Sequence, residues 1–220
     1  DEAQDMTPIY FRLLRRICAL NSCARLVIVG DECQSIYAFN EADSRYITLA
    51  HRLLPGPWAH LQCKGTWRVP PAIAQFVNDG LFGREKLVSL QTARPEHEVR
   101  YVICDAYSAT AMAELSRLLG RFAPGDIFVL APTVRSDKCP VRQLANNISA
   151  QGVQIFVPTD DSTAPSDDEI RGKLVFSTFH QVKGLERPAV LVFGVDRSYN
   201  ALYERGLCPN EVYVAFTRAS

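Results

Sequence analysis

No stretch of this 220-residue chain approaches 18 consecutive apolar residues, and none has the form of a signal peptide, so neither membrane insertion nor secretion is expected. Net charge is also lacking. The 24 basic residues are matched by 24 acidic ones, so bulk attraction to nucleic acid is excluded and any basic groove must be local. The seven cysteines (Cys18, Cys23, Cys33, Cys63, Cys104, Cys139 and Cys208) form no Cys-x-x-Cys pair and no Cys/His cluster of metal-ligand spacing. Their odd number and scatter point to reduced thiols in an intracellular protein, in the nucleus of a eukaryote or the cytoplasm of a bacterium or archaeon. There is no internal repeat and no long low-complexity tract, which sets aside repeat architectures. No Gly-x-x-x-x-Gly-Lys-Ser/Thr occurs either, so the loop that cradles phosphates is not among these residues. No Met stands first, and the chain stops two residues after Thr217-Arg218, so it is expected to be the interior of a longer protein.

What is present reads as a globular chain of one or two domains, 47% hydrophobic and 22% charged. Short runs rich in Val, Ile and Phe occur at Leu26–Val29, Val99–Cys104, Ile127–Leu130, Val153–Val157, Leu174–Phe176 and Val190–Val195. Between several of them lie stretches of helical periodicity, Tyr10–Leu20, Ala109–Phe122 and Val141–Ala150. Continuous apolar strands alternating with helices predict an α/β fold with a parallel sheet covered on both faces. Pro55-Gly56-Pro57 and Pro70-Pro71 punctuate the middle, and a domain junction is expected near Val69–Pro71. The run Pro158–Glu169 is expected to be an acidic surface loop or short linker.

The chemistry concentrates in two early blocks, Asp1-Glu2-Ala3-Gln4-Asp5 and VIVGDECQSIYAF from Val27 to Phe39. A carboxylate pair suits a hard cation and the polarisation of an attacking water, and a side-chain amide such as Gln34 can sense a terminal phosphate. Each block alone has a plainer reading. Asp5 or Thr7 can cap the following helix with Pro8 in its first turn, and Tyr37 and Phe39 can be core. Three later blocks add to the pattern: LQCKGTWRVPPAI (Leu61–Ile73), KLVFSTFHQVKGLERPAVLVFGVD (Lys173–Asp196) and NEVYVAFTRAS (Asn210–Ser220).

Together these five blocks, in this order, resemble the motor of the UvrD/Rep-like superfamily 1 DNA helicases. The resemblance implies that DEAQD is the Walker B motif, with Asp1 binding Mg²⁺, Glu2 the catalytic base and Gln34 on the γ-phosphate of ATP. It places Tyr37 and Phe39 along single-stranded DNA, where each stacked base contributes about 1–3 kcal/mol. Position 40 is Asn where the family usually has Arg. Trp67 stands in the family's tyrosine place and would stack on adenine, with Arg68 reaching the γ-phosphate through its planar fork. Thr178 and His180 would lie beside the DNA backbone, Gly184 near the phosphates and Glu186 on the ribose hydroxyl. Arg218 would be a second γ-phosphate arginine, a role associated in related systems with about 10³–10⁵ in rate.

By the same resemblance, residues 1–68 would be the back half of a first RecA-like motor domain of the P-loop NTPase class. Residues 69–220 would be a second such domain, truncated at its C-terminus. The 69–172 interval leaves little room for a large accessory insertion. The implied protein is an ATP-dependent helicase or translocase on single-stranded DNA and duplex junctions, usually 3′ to 5′, in repair, recombination or replication. These residues alone would be inactive without the phosphate loop. A hydrolysis-deficient nucleotide- or DNA-binding remnant and an RNA-directed helicase remain as alternatives. Oligomeric state and protein partners are left open.

Overall fold

Helix Pro8–Leu20 starts where local chemistry says it should. Thr7 is its N-cap, accepting the Tyr10 N–H through Oγ1 at 3.4 Å, and Pro8 occupies the first helical position, where its missing N–H costs nothing. The computed structural model describes residues 1–21, 25–95, 97–160, 165–195 and 209–220. Cys23, Cys208, Asp196 and the centre of the acidic run, 161–164, lie outside the described residues. The chain divides into two units, Asp1–Cys63 and Lys64–Ser220. This boundary falls ahead of Val69–Pro71. The reason is a short parallel pairing of β1 (Gly65–Thr66) with β2 (Val88–Ser89), which holds Trp67 and Arg68 with the second unit.

Among its described residues the first unit has helix Pro8–Leu20, two single-turn helices, Arg45–Thr48 and Ala50–Leu53, and three 3-10 turns. Leu26–Val29, expected as a strand, forms no ladder. Ala3 N–H donates to Val29 O at 3.0 Å, while Val27 and Val29 are 78% and 52% exposed. A strand needs a repeating row of partners, and among the described residues none runs beside this one.

The second unit is α/β, as expected. Its sheet has the order β4 (Ile155–Phe156), β5 (Leu174–Thr178), β3 (Ile127–Ala131), β6 (Ala189–Val192), and every pairing is parallel. Period-2 alternation sends Ile127, Val129, Leu174 and Phe176 to one face, under helices Ala109–Leu119 and Pro140–Ala150. Phe128, Leu130 and Val175 go to the other, with Val182 and Ala215 of helix Asn210–Phe216. β3 and β5 are buried throughout, as parallel strands covered on both faces must be.

Val99–Cys104 is a second correction. It is not a strand, and Tyr101 is 68% and Ile103 88% exposed. It lines a cavity of about 710 Å³ together with residues of β6. Side chains tie its start to helix Ala109–Leu119. Arg100 grips Glu114 through two hydrogen bonds of 2.8 and 3.2 Å, and Arg117 bridges Glu114 and Glu98. Val153–Val157 and Val190–Val195 shorten to β4 and β6, and the left-handed Gly194 (φ 75°) follows the latter.

Arg187, which no motif singled out, closes the lower end of this sheet. Its Nη1 donates to the carbonyls of Ile127 (3.0 Å), Lys173 (2.7 Å) and Pro124 (3.4 Å), and its Nη2 to that of Ile170 (3.0 Å). The guanidinium lies 4.6 Å from the Phe128 ring centroid, and burial pulls its pKa down while Asp126 opposes the shift. Replacing Arg187 with Met should destabilise the unit by about 3 kcal/mol or more, because the carbonyls lose their donors. Lys should not restore it, lacking the fork. Urea unfolding followed by circular dichroism measures this, and a loss below about 1 kcal/mol would show that water satisfies those carbonyls.

Candidate functional site

Besides the backbone bond from Ala3 to Val29, the two early blocks meet through the Gln4 side chain. Gln4 is 1% exposed. Its Nε2 donates to Glu2 Oε2, and its Oε1 accepts the backbone N–H of Asp31 at 3.1 Å. The amide's orientation is forced, since a carboxylate here only accepts and a backbone N–H only donates. The Gln4 carbonyl accepts Ser35 Oγ–H at 3.2 Å. Asp31 then organises the turn Glu32–Gln34. Its Oδ1 accepts the Cys33 N–H at 3.1 Å and its Oδ2 accepts the Gln34 Nε2–H at 3.2 Å. The residues between Gly30 and Ser35 thus present the Gln34 carboxamide from a hydrogen-bonded loop.

Gly30 allows the close approach. A Cβ there would lie 2.5 Å from Gln4 Oε1 and 2.6 Å from Ile47 Cδ1. Asp1 and Glu2 are exposed, and Asp1 Oδ1 accepts the Glu2 N–H at 2.9 Å. Glu2 has a left-handed backbone (φ 53°), uncommon for a residue with a side chain and often a mark of functional sites. Among the described residues no group of three or more His, Cys, Asp or Glu is gathered around a metal position. Mg²⁺ does not need one, because it takes one or two carboxylates and fills its shell with water and phosphate. An exposed carboxylate such as that of Asp1 is a donor of that kind.

Tyr37 is half-buried and Phe39 is 69% exposed, and the two rings meet edge to face at 5.9 Å. Desolvation raises the Tyr37 phenol pKa, and the charges of Asp5 and Glu2 add to the rise. The ring expected along DNA is therefore electrostatically linked to the acidic block.

In the second unit, Trp67 is 76% exposed on a firmly held backbone. Gln91 Nε2 donates to the carbonyls of Trp67 (2.7 Å) and Arg68 (2.6 Å), and Ser89 Oγ donates to that of Val69 (2.7 Å). Arg68 Nε is 3.7 Å from Glu186 Oε2, so these two residues, given different partners by the resemblance, face each other here. Gly184 is left-handed (φ 86°), and no atom lies within 4 Å of where its Cβ would be. Thr178 is buried, and it and Ser177 donate to Gln181 Oε1 at 3.2 and 3.3 Å. Gln181 passes the chain on to the Asp160 carbonyl at 2.8 Å. His180 Nε2 stands 3.9 Å from Glu211 Oε1. Arg218 is 1% exposed. Its guanidinium donates to Val214 O (3.0 Å), Leu185 O (3.3 Å) and Thr217 Oγ1 (3.3 Å), beside the Gly184–Glu186 turn. Sequence reasoning overlooked Gln4, Asp31 and Gln181, although all three stand inside the quoted motifs.

Residues 1–55 match the UvrD/REP helicase N-terminal domain. The match ends within the first unit and does not reach the blocks at 61–73, 173–196 and 210–220. No curated protein and no solved structure matches the chain. Similarity to UvrD/REP helicases thus rests on the segment that contains Asp1, Glu2, Gln4, Asp31, Gln34, Tyr37 and Phe39. Among the described residues, no helix is long and apolar enough to cross a membrane. Cys18, Cys63, Cys104 and Cys139 are not joined in disulfides.

Two outcomes test this geometry. Gly30→Ala should push the Gln4 amide aside and cost about 1–3 kcal/mol of first-unit stability, read by urea unfolding. Tyr37 should make stability fall at alkaline pH. The unfolded phenol ionises near its ordinary 10.0, the folded one only above it, so the proton held by the native state is lost later. The difference in unfolding free energy between about pH 8 and about pH 11 should therefore shrink in Tyr37→Phe.

Proposed function

We propose that the chain is part of an ATP-driven helicase or translocase of the UvrD/Rep type that moves on single-stranded DNA and opens duplex junctions. One observation carries this reading. The segment matching the helicase domain is also the one in which an exposed carboxylate pair, a loop-held glutamine and two aromatic rings are joined by hydrogen bonds and charge.

In this reading Glu2 accepts a proton from the attacking water, Asp1 holds Mg²⁺ and Gln34 contacts the γ-phosphate. Bound Mg²⁺ would neutralise phosphate charge. Tyr37 and Phe39 offer flat faces to unstacked bases, which are read by stacking and tolerate any sequence. From the second unit, Trp67 supplies an exposed indole for adenine and Arg68 a cation whose present partner, Glu186, would turn to the ribose. Thr178 and His180 would serve the DNA backbone and Gly184 the phosphates. Arg218 would reach the γ-phosphate by exchanging its carbonyl partners. The RecA-like fold, the 3′ to 5′ direction, a place in DNA repair, recombination or replication, and an intracellular setting belong to the same proposal. The phosphate loop would come from outside these 220 residues, which by themselves would not turn over ATP.

The experiment uses the complete open reading frame containing these residues. ATP hydrolysis stimulated by single-stranded DNA is expected, and Glu2→Gln should lower kcat by about 10³-fold or more while ATP still binds. Turnover within about threefold of the parent would remove Glu2 from this role. Nucleotide binding without hydrolysis in the unaltered protein would favour the hydrolysis-deficient alternative, and stimulation by RNA alone the RNA-directed one.

A further inference from the structure

We infer that Gln4 is a positioning residue that couples the carboxylate of Glu2 to the phosphate-sensing amide of Gln34. This inference rests on the helicase reading of those two residues and adds a third to it. The argument is geometric. Gln4 is sealed at 1% exposure, so its amide has no water to fall back on, and each of its polar atoms is engaged in a forced direction. Nε2–H holds Glu2 Oε2, which limits the rotamers open to an otherwise exposed carboxylate. Oε1 holds the N–H of Asp31, and the Asp31 carboxylate holds both the Cys33 N–H and the Gln34 Nε2–H. The sequence of contacts Glu2, Gln4, Asp31, Gln34 therefore has no slack. A shift of Gln34 is transmitted to Asp31, from Asp31 to the Gln4 amide, and from there to Glu2.

The surroundings make the relay stiff. Ser35 Oγ pins the Gln4 carbonyl, and Ile47 Cδ1 fills the space that a side chain at position 30 would need. The left-handed Glu2 backbone, with Asp5 N–H donating to Glu2 O at 3.0 Å, fixes the acidic turn from the other side. Such an arrangement holds the Glu2 carboxylate and the Gln34 carboxamide in one hydrogen-bonded frame.

The test uses the complete open reading frame and Gln4→Met, which keeps the volume and removes both hydrogen-bonding ends. Its kcat should fall by roughly 10- to 100-fold, with KM for ATP changed less than about threefold, as expected for lost alignment and not lost binding. In a double-mutant cycle with Gln34→Ala, the two losses should be strongly less than additive. A purely structural Gln4 would give additive losses or a lowered stability with kcat intact, and either result overturns the inference. A second pair reads the contact itself by thermal unfolding. Gln4→Glu should lower Tm by roughly 4–8 °C by setting two carboxylates together, and adding Glu2→Gln should recover at least half of it by exchanging donor and acceptor. No recovery would show that the two side chains are not in contact. If Glu2→Gln leaves turnover unchanged, the helicase reading fails. If Glu2→Gln abolishes turnover while Gln4→Met keeps kcat within about twofold, only the role of Gln4 fails.

Discussion

The second unit depends on how Arg187 answers the carbonyls where its sheet begins. Carbonyls from the start of β3 and from the loops that precede β3 and β5 converge there, and buried ones need a donor. A single guanidinium meets the carbonyls of Pro124, Ile127, Ile170 and Lys173, with Phe128 beneath it. The backbone of the same residue bonds to the chain end, through Arg187 N to Arg218 O at 3.0 Å and Ser220 N to Arg187 O at 3.1 Å. One residue thus joins the starts of β3 and β5 to the last turn of the chain. Arg suits the task because its five donors lie in a rigid plane.

The first unit solves a related problem with a neutral group. Its acidic turn and its Gly30–Ser35 loop are not joined by a sheet among the described residues, so side chains add to the one backbone bond from Ala3 to Val29. The Gln4 amide is both donor and acceptor, which lets it satisfy a carboxylate on one side and a backbone N–H on the other. A charged residue at that buried position would satisfy only one of them. Gly30 is tied to this choice, since any Cβ would enter the volume of the Gln4 amide. The acidic block is thereby held beside the aromatic pair, with Tyr37 feeling the charges of Asp5 and Glu2.

Strand and helix positions in the second unit were legible wherever burial on both faces wrote a continuous apolar run, as at Ile127–Ala131 and Leu174–Thr178. Helices were legible at their caps and periodicity, as at Thr7-Pro8. The runs at Leu26–Val29 and Val99–Cys104 have the same composition but no ladder beside them, and composition cannot report a missing neighbour. The candidate site was legible as motifs, and the residue types at Asp1, Glu2, Gln34, Tyr37 and Phe39 lie in the segment that matches the helicase domain. Gln4, Asp31 and Gln181 were hidden because a buried amide or carboxylate looks like an exposed one until its partners are known.

Sequence alone determined the alternation of parallel strands and helices, the location of the acidic and glutamine blocks, and the capping of the first long helix. These are local or periodic properties, written in residue type and spacing. Only the tertiary structure decided that Gln4 bridges Glu2 to Asp31, that Arg187 gathers four carbonyls, that Arg68 faces Glu186 and that Arg218 is buried against Val214, Leu185 and Thr217. Most of these partners are distant in the chain or are backbone groups, and the near ones, Glu2 for Gln4 and Thr217 for Arg218, are met only because the backbone turns there. A hydrogen bond of that kind depends on where folding leaves a donor and an acceptor, which no pattern of side chains encodes by itself.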